Sequence, residues 1–106
     1  MKRTGYLKTA VVLFMLQFDQ AVAADLARGR AIAVRWCSEC HVVTPGQGRG
    51  SDSVPTFSEI KGAKRFDEAR LSAFLSAPPH SRMPNLSLSR SEIADLVAYI
   101  KRGAPN

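Results

Sequence analysis

The chain has 106 residues, 15 Lys and Arg against 9 Asp and Glu, a formal charge of +6, and only two cysteines. That length holds one small domain and leaves no room for a second. The positive surplus lies in no basic stripe interleaved with aromatic residues, so the charge gives no case for nucleic-acid binding.

The first segment reads as an export signal. Met1 to Lys8 carry Lys2, Arg3 and Lys8, Thr9 to Phe18 is nearly all apolar, and Gln20-Ala21-Val22-Ala23-Ala24 ends in small residues. These are the three parts of a secretory signal peptide, residues 1–24. An apolar run of about 10 residues falls short of the roughly 20 that span a bilayer, so no membrane span is expected after cleavage. Cleavage after Ala23 or Ala24 satisfies the small-residue rule, placing the mature start near Asp25. The signal takes three of the fifteen basic residues and one of the nine acidic, leaving residues 25–106 with a formal charge of +4. Such a signal predicts export to an oxidising compartment.

Next, Asp25 to Cys37 carries Leu26, Gly29, Ala33, Trp36 and Cys37 on one face at helical spacing, with Asp25 suited to the start. Glycine inside a helix costs about 1 kcal/mol relative to alanine, so Gly29 predicts a close approach by another element.

Cys37-Ser38-Glu39-Cys40-His41 follows, a Cys-x-x-Cys-His run. This is the attachment signature of a c-type haem: two thiols form thioethers to the two vinyl groups, and the adjacent imidazole serves as axial ligand of the iron. A thioredoxin-like pair would need a strand and crossover that the pattern lacks. Zinc would need four ligands, and the other histidine, His80, stands far away. A disulfide between Cys37 and Cys40 would close a very short loop and contribute little. An 82-residue chain has a thin core, so a covalently held haem would also act as its staple.

Thr44 to Ser53 is rich in turn residues and lacks the Gly-Lys-Ser/Thr of a phosphate-binding loop. Beyond it, Lys61, Lys64 and Arg65 precede a second helix over Asp67 to Ala77, with Leu71, Phe74 and Leu75 as its apolar stripe and Pro78-Pro79 ending it. His80, Arg82, Met83 and Pro84 lie in the following loop. Methionine is most often core filler, yet Met83 sits outside any helical stripe and is the only methionine after the signal. A third helix starts at Ser89 with Glu92 three residues on, a capping box, and carries Ile93, Leu96, Val97 and Ile100 on one face before Gly103 stops it.

From Gly29 through Cys37-x-x-Cys40-His41 to Met83-Pro84 and Leu96-Val97-Ala98-Tyr99-Ile100, the chain resembles the class I c-type cytochromes, in particular small monohaem bacterial members exported to the periplasm. The resemblance implies an all-α fold with three main helices around one covalently attached haem c, the first and last crossing at Gly29 and Tyr99. Ala33 stands where many members have an aromatic residue. It implies that His41 and Met83 ligate the iron, with His80 the rival for the second position. It also implies that the carbonyl of Pro55 accepts the other imidazole hydrogen of His41; the competing reading makes Pro55 a turn residue. Trp36 and Phe57 either line the haem crevice or pack in the core. The implied activity is single-electron transfer by a monomer between redox partner proteins, not enzymatic turnover. From their positions beside Met83 and before the second helix, some of Arg82, Lys61, Lys64 and Arg65 are expected to ring the haem edge and steer an acidic partner. The alternative is a haem enzyme or gas-binding module with an exchangeable distal position, against which stands the lack of a distal His/Arg pair in a helix.

Overall fold

The computed structural model describes residues 23–77 and 83–103. The signal segment up to residue 22, Pro78-Pro79, His80 and Arg82 lie outside the described residues. Four helices and no strand occur among those described: α1 (Leu26–Ile32), α2 (Phe57–Gly62), α3 (Glu68–Ser76) and α4 (Arg90–Ala98). α1 and α4 each run on into a wider π-helical turn, Ala33–Cys37 and Tyr99–Gly103.

The helix starts follow from short polar side chains that accept orphaned N–H groups of the first turn. Asp25 accepts from Arg28 N–H, Thr56 from Glu59, Asp67 from Arg70, and Ser89 from Glu92. At α4 the Glu92 carboxylate also accepts from Ser89 N–H at 2.9 Å, completing the expected capping box. Hydrogen bonds to that carboxylate, first from the Ser89 backbone N–H and second from the Ser89 side chain, hold the Glu92 carboxyl below its usual range.

Helix α1 crosses α4 at Gly29. A methyl group there would run into the Asp95 carbonyl oxygen and come within 2.6 Å of the Asp95 carbonyl carbon and 2.9 Å of Tyr99 Cβ. Only a residue without a side chain permits that approach, which is why a residue unfavourable to helix occupies the middle of α1. The crossing is tied at its end by Asp95, which is 7% exposed. Its Oδ1 accepts the Asp25 N–H at 2.8 Å, and Arg28 Nε lies 3.8 Å from its Oδ2. A buried carboxylate is tolerated because it has these partners.

Around the crossing, Ile32, Ala33, Cys37, Val43, Phe57, Leu96, Tyr99 and Ile100 form one buried cluster, with Ile60, Phe66, Leu71, Leu75 and Leu88 packed on it. Ile93, Leu96, Val97 and Ile100 are all buried, as their spacing predicts. On α3, Leu71 and Leu75 face the core, whereas Phe74 sits at its margin and is largely exposed. The exposed ion pair of Lys101 Nζ with Glu68 Oε1, 2.6 Å, joins the end of the last helix to the start of α3.

Two expectations for α1 are corrected. Leu26 and Trp36 belong to no buried face: they are 40% and 48% exposed. The π-helical turn is the cause for Trp36. In this wider turn, with i to i+5 bonds, residue i+3 falls farther short of a full revolution than in an α-helix, so Trp36 swings away from the face of Ala33 while Cys37 still follows Ala33 into the core. The Arg35 guanidinium lies over its ring, 4.8 Å from the centroid. The position of Ala33, fully buried, serves the core without an aromatic ring.

Candidate haem-attachment site

The attachment run leaves the π-helical turn in a tight reversal. His41 N–H donates to the Cys37 carbonyl at 2.8 Å and Cys40 N–H to the same oxygen at 3.2 Å. This places Cys37 inside and Cys40 outside, and both are free thiols. Burial first, and the proximity of Cys40 second, push the Cys37 thiol up to about 11. It is therefore a neutral thiol at pH 7.

Beyond the cysteines the strand of chain 40–43 is held from several directions. Ser51 N–H donates to the Cys40 carbonyl at 2.8 Å, and Phe57 N–H to the Val42 carbonyl at 3.0 Å. The Tyr99 hydroxyl donates to the Val43 carbonyl. The rings of His41, Phe57 and Tyr99 form a file, with centroids 5.7 Å and 6.3 Å apart, leading from the motif to the last helix. Phe57 is thus both a core residue and the neighbour of the histidine.

The ring orientation of His41 is set by Pro55. Nδ1 lies 2.6 Å from the Pro55 carbonyl oxygen. A carbonyl can only accept, so Nδ1 carries the hydrogen and, in the neutral ring, Nε2 presents its lone pair. An imidazole backed by a carbonyl in this way is the arrangement of a metal-ligating histidine, oriented by one nitrogen and free to bind through the other. Two reduced thiols and this imidazole are the donor set that a c-type haem requires, and the residues present fit the group. Among the described residues no cluster of three or more His, Cys, Asp or Glu offers a zinc-like site.

The structure brings Cys37, Cys40, His41 and Pro55 together. Met83 lines a largely apolar hollow with Phe74, Leu75, Pro84, Leu86 and Leu88. Leu75 and Leu88 connect that hollow to the core cluster that contains Cys37 and Phe57. Lys64 and Arg65 are exposed and Lys61 is half-buried, on the end of α2 and the turn after it. Arg65 borders a shallow groove with Phe66, Asp67 and Arg70.

Sequence reasoning missed α2, although Thr56 three residues before Glu59 carries the mark of a helix start. It also missed Gln47, whose side chain bonds into the attachment turn. Nothing in a Gly-rich loop marks one glutamine as different from its neighbours.

An all-α frame that presents a thiol pair and a back-bonded imidazole on one turn defines a covalent haem carrier. The comparisons agree. The chain is 44% identical over 82 residues to cytochrome c-552 of Bradyrhizobium diazoefficiens, covering 77% of this chain and 78% of that protein. It is 31% identical over 109 aligned positions to cytochrome c of Chlamydomonas reinhardtii, covering 83% of this chain and 97% of that protein. No family model and no solved structure matches. The chain belongs to the class I c-type cytochromes, which carry covalently attached haem c and transfer electrons to redox partners rather than act as enzymes. No helix among the described residues is long and apolar enough to cross a membrane.

Proposed function

We propose that residues 25–106 form a periplasmic, monomeric single-electron carrier, released from the signal peptide 1–24, with the haem iron held between His41 and Met83. The observation that carries this reading is the hydrogen bond from His41 Nδ1 to the Pro55 carbonyl, which leaves Nε2 as the ring's free donor. Cys37 and Cys40 anchor the group through thioethers, and the bound haem supplies a one-electron iron couple. Pro55 keeps the imidazole in one tautomer and one orientation in both oxidation states. Met83, which lines a hollow with Phe74, Leu75, Pro84, Leu86 and Leu88, would contribute a soft, neutral thioether that favours ferrous iron. Held by His41 and Met83, the group would be able to change oxidation state with little movement of these side chains. Lys64 and Arg65, with Lys61 and Arg82, would steer an acidic redox partner.

The test is spectroscopic. Ferric wild-type protein should be low-spin with the weak thioether charge-transfer band, and the ferrous form should bind carbon monoxide poorly. Met83→Ala should remove the band, lower the midpoint potential and open the iron to carbon monoxide, whereas His80→Ala should change little. Ready carbon monoxide binding by wild type, or loss of the native spectrum in His80→Ala, would overturn the assignment.

A further inference from the structure

The chain after the attachment motif reverses through Thr44-Pro45-Gly46-Gln47, where Gln47 N–H lies 3.4 Å from the Thr44 carbonyl and Gly46 has φ of 75°. Proline second and a left-handed glycine third are the residues of a type II turn. The turn delivers the Gln47 side chain back onto the motif. Its Oε1 accepts the Val43 N–H at 2.9 Å. Its Nε2 lies 3.0 Å from the Ser38 carbonyl, 2.7 Å from that of His41 and 2.6 Å from that of Arg49. Two N–H hydrogens serve three carbonyls, so one is shared.

We infer that Gln47 is the positioning residue of the proximal histidine: it fixes the main chain from which the imidazole springs, while Pro55 fixes the ring. The inference rests on the reading of His41 as iron ligand. Ser38 and His41 lie just past a helix end, where carbonyls lack helical partners. Gln47 supplies the partners for both from outside the turn, and by accepting from Val43 it grips the residues on either side of Val42. Only a primary amide can do this. A carboxylate of the same size has no donor and would set negative charge against three carbonyl oxygens.

The test compares haem-loaded Gln47→Glu, Gln47→Met and Gln47→Asn with wild type. Three quantities are read: the midpoint potential, the paramagnetically shifted proton resonances of the His41 ring in the ferric state, and the exchange rate of the Val43 amide hydrogen. Gln47→Glu and Gln47→Met should displace the His41 resonances and the potential, and Gln47→Met should speed Val43 exchange by about tenfold, the effect of one lost hydrogen bond. Gln47→Asn keeps both amide functions one methylene short and should show smaller shifts, which provides the measurement if the larger changes prevent loading. A lowered melting temperature with His41 resonances and potential unchanged in all the variants that load would reduce Gln47 to a loop brace and overturn the inference. Wild type lacking shifted His41 resonances would instead strike the ligand assignment itself.

Discussion

Replacing Gly29 with alanine sets two effects against each other, and the structure decides the sign. In an open helix the change is favourable by about 1 kcal/mol. Here the added methyl would meet backbone, coming within 2.6 Å of the Asp95 carbonyl carbon, where an ordinary contact begins at 3.4 Å. Backbone in the middle of α4 cannot rotate away as a side chain could, so the crossing has to open by about 1 Å, enough to forfeit a quarter to a half of each affected contact. Overpacking of this severity belongs at the upper end of its range, about 3 kcal/mol. The net expectation is a loss of about 2 kcal/mol, or roughly 8–16 °C in Tm for a domain of this size. Thermal and guanidinium unfolding of the haem-loaded protein, followed by circular dichroism, would measure it. Gly62→Ala is the control: a methyl there meets nothing within 4 Å. It should be neutral or stabilising by up to about 1 kcal/mol. A Gly29→Ala protein as stable as Gly62→Ala would refute the close crossing.

Tyr99→Phe removes the donor to the Val43 carbonyl and should cost about 1–3 kcal/mol, read as a lower denaturation midpoint. Burial raises the Tyr99 hydroxyl above its usual value, with Arg30 opposing. Its contribution is therefore full below the unfolded value of about 10 and declines as pH rises beyond it, so Tyr99→Phe should flatten the alkaline limb of a stability profile. For Glu92 the sign is opposite: a depressed carboxyl stabilises above its usual range, and that contribution is lost as pH falls through the folded value. Glu92→Gln keeps an acceptor without the charge and should weaken the acid dependence of Tm. Electron transfer to the natural partner should slow as salt rises, because screening sets in over roughly 8 Å at physiological ionic strength; a rate indifferent to salt would remove the steering role of Lys64 and Arg65.

The parts of the fold legible in the sequence are those written in short-range chemistry. Ser89 with Glu92 marked the last helix, the Ile93, Leu96, Val97 and Ile100 stripe marked its buried face, and Gly29 marked the crossing because a glycine in a helix needs a reason. Trp36 was misplaced because helical spacing assumes one pitch, and the π-helical turn changes the phase within five residues. The attachment run announced its own chemistry. Gln47 did not, since its role depends on a turn folding back over the motif, and composition carries no record of which carbonyls a side chain will meet. Asp95 was equally silent: its partners are a main-chain N–H and an arginine contributed from the other end of the chain.

That last contact has a temporal side. Asp25 and Asp95 are 70 residues apart, and Val43 and Tyr99 are 56 apart. At a synthesis rate of about 5–20 residues per second, Cys37 to His41 exist for roughly 3–12 s before Tyr99 is made. During that interval α1 has no partner, and seven α-helical residues cannot hold a helix alone. The thiols and the imidazole therefore exist first as open peptide. Only when the final helix arrives does the chain close over Cys37, while Cys40 stays exposed, so that the glycine crossing works as a latch whose late engagement separates an open state of the attachment turn from a packed one.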